Sequence, residues 1–251
     1  MTVAIIPLPD IPLVEPGMSL ATLVGDAIVA ARVGLKDGDV VAVCQKIVSK
    51  AEGALAPLAD VQPSAFATTL AAQGDEPRDP RVLEVVLRES ARIVRNDRGH
   101  LIVQTRHGFV CANAGVDQSN GVTDEVLTLL PRDPDASADR IRAAVRDRLG
   151  VDVPVVVSDS FGRPWRWGIV DVAIGVSGLH PLEDLRGAAD ADGRPMRVTV
   201  RAVADELASA AELALGKVGR RPVALVRGAD PPLGDGSIRE ALMESAADLF
   251  R

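Results

Sequence analysis

Three short apolar runs, residues 39–44 behind the turn Lys36-Asp37-Gly38, residues 151–157 and residues 223–226, have the length and side-chain type of buried strands. Stretches with apolar residues at helical spacing lie around and between them. Ser19 is an N-cap ahead of Leu23, Val24, Ala27, Ile28 and Ala31, with Gly34 as the stop. Asp79-Pro80 opens a second helix in the cap-then-proline order, with Leu83, Val86, Leu87, Ile93 and Val94 facing inward. A third helix runs from about Pro134 through Ile141, Val145 and Leu149 to Gly150, and a fourth from about Val200 to Leu215, ended by Gly216. His100–Thr105 and residues 109–112 flank Arg106-His107-Gly108 as a hairpin. The expected class is α/β, in the broad sense of mixed α+β. The Pro/Asp-rich residues 130–135 are either a hinge or an ordinary loop into the third helix.

The 251 residues, 47% of them hydrophobic, suffice for a large core, which excludes a disordered chain. A net charge of −7 offers no general footing for nucleic acid or an anionic membrane surface, and with two Trp, four Phe and no Tyr a base-stacking platform is not expected. No apolar run approaches the ~20 residues of a membrane span. The N-terminus, broken by Pro7, Pro9, Asp10, Pro12 and Pro16, lacks the cationic lead of a signal peptide, so a cytoplasmic location is expected. Cys44 and Cys111 sit alone in apolar runs, which excludes a disulfide framework and a CxxC zinc site.

Four polar clusters sit at the ends of these elements, where a rigid sheet presents side chains to ligands. Residues 45–53 carry Lys46, Ser49, Lys50 and Glu52 directly after a strand. They suit phosphate oxygens without forming a Walker A loop, and the plainer reading is a solvated helix start. Residues 113–121 place Asp117 and the amides of Gln118 and Asn120 between glycines, which suits a hard cation with its phosphates or simply a polar turn. Residues 158–168 put Asp159 and Ser160 beside Arg163 and Arg166, together with both tryptophans of the chain. Asp plus Ser suits a metal, and arginine forks suit phosphate or carboxylate. Residues 216–222 form a basic turn that is either a phosphate clamp or a helix C-cap. His100, His107 and His180 lack metal-ligand spacing, and no GxSxG or Cys–His pairing supports acyl transfer through a nucleophile. Two carboxylates with several Lys and Arg and no nucleophile describe a metal–nucleotide site, in which positioning and charge neutralisation dominate.

Taken together, the clusters resemble the coenzyme F420-0:L-glutamate ligases, or F420 γ-glutamyl ligases, in their stand-alone form without a nitroreductase-like domain. The resemblance rests on Ile11-Pro12-Leu13-Val14, on residues 47–53, 113–120 and 158–163, on Ala173-Ile174-Gly175-Val176-Ser177-Gly178, and on Val203-Ala204-Asp205-Glu206. It implies one γ-glutamyl-ligase unit over residues 1–251, of two discontinuous lobes. Both chain ends would form one lobe and the middle of the chain the other, with the site between them, in an intertwined homodimer. It implies GTP-dependent ligation of L-glutamate to the lactyl carboxylate of F420-0, then γ-linked extension, with Mg²⁺ or Mn²⁺ and with K⁺ as a further candidate cation. No nucleic acid or membrane partner is implied.

Residue by residue, the resemblance assigns the guanine nucleotide to Ile11, Pro12, Leu13, Val14, Gln45, Lys46, Lys50 and Asn120, and to the loop Leu215, Gly216, Lys217, Val218, Gly219, Arg220, Arg221 and Pro222. Asp117 and Asp159 fall on ligand positions of one metal and Ser160 on a second, so that Asp117, Asp159 and Lys50 are the expected catalytic groups. Arg163 and Arg166 are expected to meet the acidic substrate, from their chemistry and position. One departure stands out: archaeal members carry a glutamate, a second-metal ligand, where this chain has Lys217. A charged lysine does not ligate Mg²⁺ and offers a phosphate contact instead. The alternatives are a related carboxylate–amine ligase with another acceptor, and a non-catalytic nucleotide-binding protein of the same fold.

Overall fold

The computed structural model of the protein describes residues 2–73, 76–97, 99–118, 125–244 and 246–248. In chain order the first elements are β1 (Ala4–Pro7), α1 (Leu20–Ala31), β2 (Val40–Cys44), α2 (Gln45–Ala51) and β3 (Leu55–Pro57). Then come α3 (Ala65–Ala71), α4 (Pro80–Glu89), β4 (Ser90–Asp97), β5 (His100–Thr105), β6 (Val110–Ala112) and β7 (Val126–Thr128). The C-terminal half holds α5 (Pro134–Leu149), β8 (Val155–Arg163), β9 (Arg166–Ser177), β10 (Glu183–Asp184), β11 (Val200–Arg201), α6 (Val203–Leu215) and β12 (Val223–Arg227). Short 3-10 turns occupy Leu58–Asp60, Asn113–Gly115 and Ile238–Ala241. The mixed α/β class is as expected.

The main sheet runs in the order β1-β12-β2-β8-β9, with only the β2–β8 pair parallel. Four consecutive residues of β2, Val40 to Val43, are wholly buried, as are Val223 to Val226 of β12. Successive strand side chains point to opposite faces, so an unbroken buried run means that both faces are covered. Helix α6 packs on β1, β12, β8 and β9, while α5 packs on β8 and β9 with α1 behind it. Their residues share one core with the sheet. A second core gathers Ala67, Leu70, Leu83, Val86, Leu101, Val103 and Ala114 from the middle of the chain, and a third joins Leu58, Val61, Val85 and Leu127.

Local chemistry sets most boundaries. The N–H of Thr22 bonds the Ser19 hydroxyl at the start of α1, and Asp133 caps α5, which closes at Gly150 in the left-handed region. The first helix stops two residues before the expected Gly34, because Arg32 itself adopts the left-handed C-cap (φ 55°). The second helix ends at Glu89, where the Ser90 hydroxyl donates to the Val86 carbonyl (2.6 Å). Ile93 and Val94, expected on that helix, therefore lie on β4, paired with β5. The fourth helix begins at Val203, since Val200 belongs to the β10–β11 pair. Residues 130–135 lead into α5 with few free ends: Leu130 is buried, His107 Nε2 lies 2.9 Å from the Pro131 carbonyl, and the Asp135 carboxylate accepts from Val176 N (2.8 Å) and the Ser237 hydroxyl (2.7 Å).

The largest difference concerns the third strand. Expected over 151–157, β8 starts at Val155 and continues through the polar residues to Arg163. Residues 158–163 are thus a strand rather than a loop, because β9 pairs with them as far as Arg163↔Arg166. Between Val157↔Gly175 and Ser158↔Ala173 the register shifts by a bulge on β9. The extra residue reverses which face β9 presents. Beyond it, Gly175 and Ser177 meet α5: a Cβ on Gly175 would stand 2.4 Å from the Pro134 carbonyl oxygen, and Ser177 donates to Asp139 (2.6 Å). Before it, Ala173 and Asp171 turn to α6, where Asp205 accepts from Ala173 N (2.9 Å).

Candidate active site

Strand β2 ends at Cys44, opposite Ser158, while its parallel neighbour β8 runs on past it to Arg163. In an open α/β sheet such ends are where ligands bind. Helix α2 starts at once after β2, so Gln45, Lys46 and Lys50 all leave the end of the same strand. Gln45 is buried and donates to the Ser49 hydroxyl (2.5 Å) and the Leu129 carbonyl (2.8 Å). Ser49 is buried too, and Glu52 accepts from Ser137 (2.6 Å) and Arg140 (2.5 Å) on α5. Of the residues expected to hold phosphate here, Ser49 and Glu52 therefore brace the scaffold, which leaves Lys46 and Lys50. The expected solvated helix start is in fact largely buried. Burial lowers the Lys50 ammonium's pKa below the usual lysine value, and the Lys46 charge lowers it further, against the attraction of Asp117.

Two carboxylate–ammonium clusters form at this edge. In the first, Lys46 Nζ lies 2.6 Å from Asp117 Oδ2, and Asp117 is held by a backbone bridge to Thr128 of β7. Asp159 belongs to the same electrostatic group. Burial pushes its carboxyl up to about 6 against a backbone hydrogen bond from Ser160, with the negative charges of Asp171 and Asp117 raising it and Lys46 lowering it. In the second cluster, Asp171 of β9 is 3% exposed and accepts from the Ser160 hydroxyl (2.7 Å), the Ser158 hydroxyl (3.0 Å) and Lys217 Nζ (3.0 Å). Lys217 also reaches Glu212 (3.0 Å) and the Ser160 hydroxyl. Strand alternation turns Asp159 and Ser160 to opposite faces of β8, so each belongs to a different cluster.

The loop after α6 closes this edge. Leu215 is buried at the helix end, Gly216 stands at φ 60°, and the Pro222 carbonyl accepts from Cys44 N (2.8 Å). Residues 215–222 therefore lie against the end of β2, with Val218 fully exposed between them, Gly219 close to the Arg221 side chain, and Arg220 left-handed at φ 49°. The segment Ile11, Pro12, Leu13 and Val14 lies between β1 and α1, with Val14 in the core and Leu13 exposed. The turn after it is tied to α2 through Gly17 N and the Ala51 carbonyl (2.9 Å). Arg163 and Arg166 are not gathered with these groups. Arg163 stands four strand residues beyond Asp159, or about 13 Å at ~3.3 Å per residue, and donates to the Trp167 carbonyl (3.2 Å). Asn120, expected to contact nucleotide, lies outside the described residues.

Sequence reasoning overlooked Asp171, Ser158 and Glu212. Asp171 did leave a signal, a carboxylate in the middle of the apolar run Ile169-Val170-Asp171-Val172-Ala173-Ile174, where burial demands partners. Glu212 left none, being an ordinary helix glutamate until Lys217 folds back on it.

Asp117 and Asp159 offer hard oxygen donors in one cluster, whereas Ser160, expected as a further donor, faces the other cluster with its hydroxyl engaged by Asp171 and Lys217. Among the described residues no three His, Cys, Asp or Glu gather into a closed metal cage. Mg²⁺ ordinarily takes one or two protein carboxylates and completes its shell with water and phosphate, so the donor set fits a phosphate-bound divalent cation. The fold and site thus define an α/β protein with a cationic, carboxylate-bearing sheet edge suited to a metal-bound polyphosphate.

The chain belongs to the F420-0:gamma-glutamyl ligase family, whose profile it matches over residues 10–228. It is 44% identical to the coenzyme F420:L-glutamate ligase of Methanopyrus kandleri, over 100% of this chain and 98% of the relative. The enzymes of that name from Methanothermobacter thermautotrophicus and Archaeoglobus fulgidus are 41% and 38% identical over 100% of this chain, covering 100% and 97% of their own lengths.

Proposed function

We propose that this protein joins L-glutamate to coenzyme F420-0 through its lactyl carboxylate, forming F420-1, and then extends the product through γ-linkages at the expense of GTP. The observation that carries this reading is full-length similarity to coenzyme F420:L-glutamate ligases in a chain that groups Lys46, Asp117 and Asp159 beside the end of β2.

A carboxylate is a poor electrophile toward an amine at neutral pH. Transfer of the GTP γ-phosphoryl group to the lactyl carboxylate oxygen makes an acyl phosphate and releases GDP. The glutamate amine then attacks the acyl carbon, phosphate departs, and the ammonium proton is lost as the amide forms. Lys46 and Lys50 present positive charge to the phosphates from the start of α2, and the loop 215–222 and the Ile11–Val14 segment enclose the nucleotide. Bound at Asp117 and Asp159, Mg²⁺ or Mn²⁺ would neutralise charge building on the transferred phosphoryl group. Arg163 and Arg166, at the hairpin tip, meet the phosphodiester and carboxylate of the acceptor. Because that tip stands away from the carboxylates of its own chain, this role requires an approach to the site of a second copy in a homodimer.

The test is mass spectrometry of F420-0 incubated with the protein, L-glutamate, GTP and Mg²⁺ or Mn²⁺. A gain of one or more glutamyl units is expected. No gain together with tight GTP binding would identify a nucleotide-binding protein without turnover, and a gain only with another carboxylate acceptor would identify a related ligase.

A further inference from the structure

Lys217 sits in a cage built by three elements. Its ammonium has three N–H donors and no acceptor, and three oxygens already receive them: the Ser160 hydroxyl of β8, Asp171 Oδ1 of β9 (3.0 Å) and Glu212 Oε1 of α6 (3.0 Å). Two of the three are carboxylates, and Asp171 is almost wholly buried. Ser160 and Ser158 both donate to Asp171, one to each carboxylate oxygen, which fixes the carboxylate's plane. A saturated ammonium has no donor to spare for a phosphate.

We propose that Lys217 is a resident cation: its ammonium fills a carboxylate–hydroxyl cage of Ser160, Asp171 and Glu212 that would otherwise hold an exchangeable divalent ion. This rests on the reading of the neighbouring Asp117–Asp159 edge as a metal–nucleotide site, and it limits this protein to one divalent ion there. Cage and edge lie on opposite faces of β8, so the two positive charges would approach a polyphosphate from two sides. Burial by itself depresses the Lys217 pKa, yet the hydrogen bonds and charges of Asp171 and Glu212 more than reverse it and hold the group above the ordinary lysine value. The side chain is about half exposed, so the cage opens toward solvent on one side.

The experiment counts Mn²⁺ bound at equilibrium, from the spin-resonance signal of the free ion, with Mn²⁺ alone as the probe. Lys217→Ala is expected to bind one Mn²⁺ per chain more than the unmodified protein. Lys217→Ala with Asp171→Asn, which removes one charge of each sign, is expected to return to the unmodified count. Equal counts in the unmodified protein and Lys217→Ala would overturn the proposal, as would weakened GTP binding in Lys217→Ala without an added ion, the mark of a phosphate clamp. If Lys217→Ala does not fold in metal-free buffer, recovery with Mn²⁺ but not with NaCl of equal ionic strength supports the cage, and failure in both overturns it. An unmodified protein that binds no Mn²⁺ would remove the Asp117–Asp159 metal assignment, while a one-ion gain in the variant would still uphold the cage.

Discussion

Asp159 illustrates how the site balances charge residue by residue. Its carboxyl is raised first by burial, then by Asp171 and Asp117, with Lys46 as the compensating cation. Replacing it by Asn keeps the shape and removes one of three clustered negative charges. Asp159→Asn is accordingly expected to fold with an unchanged or slightly raised melting temperature, because it relieves repulsion in the protein without bound ions. Its kcat for glutamyl ligation should fall by roughly 10²–10³, the usual cost of losing one preorganised electrostatic element. Steady-state kinetics at saturating Mg²⁺ and GTP check this, and an undiminished kcat would remove Asp159 from the metal site. Lys50→Ala is expected to weaken GTP binding by about 1.5–3 kcal/mol, the worth of a hydrogen bond to a charged group. Calorimetric titration with GTP measures it, and unchanged affinity would assign Lys50 to the scaffold alongside Gln45 and Ser49.

Among the elements, the β8–β9 hairpin organises the molecule. Its bulge sends Asp171 and Ala173 toward α6 and Gly175 toward α5, so one strand serves a polar cluster on one face and a tight packing contact on the other. Gly175→Ala should therefore destabilise the fold by ~1–3 kcal/mol, because its Cβ meets the Pro134 backbone rather than a side chain that can swing away. Urea denaturation reads the loss as a lower midpoint with an unchanged slope. Nothing in the sequence announces the bulge. Caps and stops such as Ser19, Asp79-Pro80 and Gly150 were legible because a cap is satisfied within a few residues. By contrast, the switch from α4 to β4 at Ser90 was missed, since Ile93 and Val94 continue the helical spacing while the partner that makes them a strand is β5.

At the scale of the whole molecule, the hairpin tip is the most exposed apolar feature among the described residues. Trp167 is fully exposed and Trp165 and Ile169 largely so, although large aromatic side chains usually bury most of their surface. These side chains suit the intertwined homodimer that the proposed substrate role of Arg163 and Arg166 requires. Light scattering at micromolar concentration is expected to give twice the 26.3 kDa chain mass. Trp167→Ser should shift that mass toward the monomer, and a monomeric unmodified protein would count against the arrangement. No described helix is long and apolar enough to cross a membrane.

The sequence by itself determined the mixed α/β class, the capped helices, the buried strands and the family, because local periodicity and contiguous motifs carry that information. It also named Asp117, Asp159 and Lys46, each of which sits in a polar segment of its own. Only the tertiary structure decided which of these groups meet. It turned Ser49 and Glu52 into braces, separated Asp159 from Ser160, carried Arg163 and Arg166 to a distant tip, and brought Asp171 and Glu212 around Lys217. Those outcomes depend on strand register, on one bulge and on a loop folding back, and such pairings join residues far apart in the chain. Their energy lies in contacts between elements, which no local stretch of sequence records.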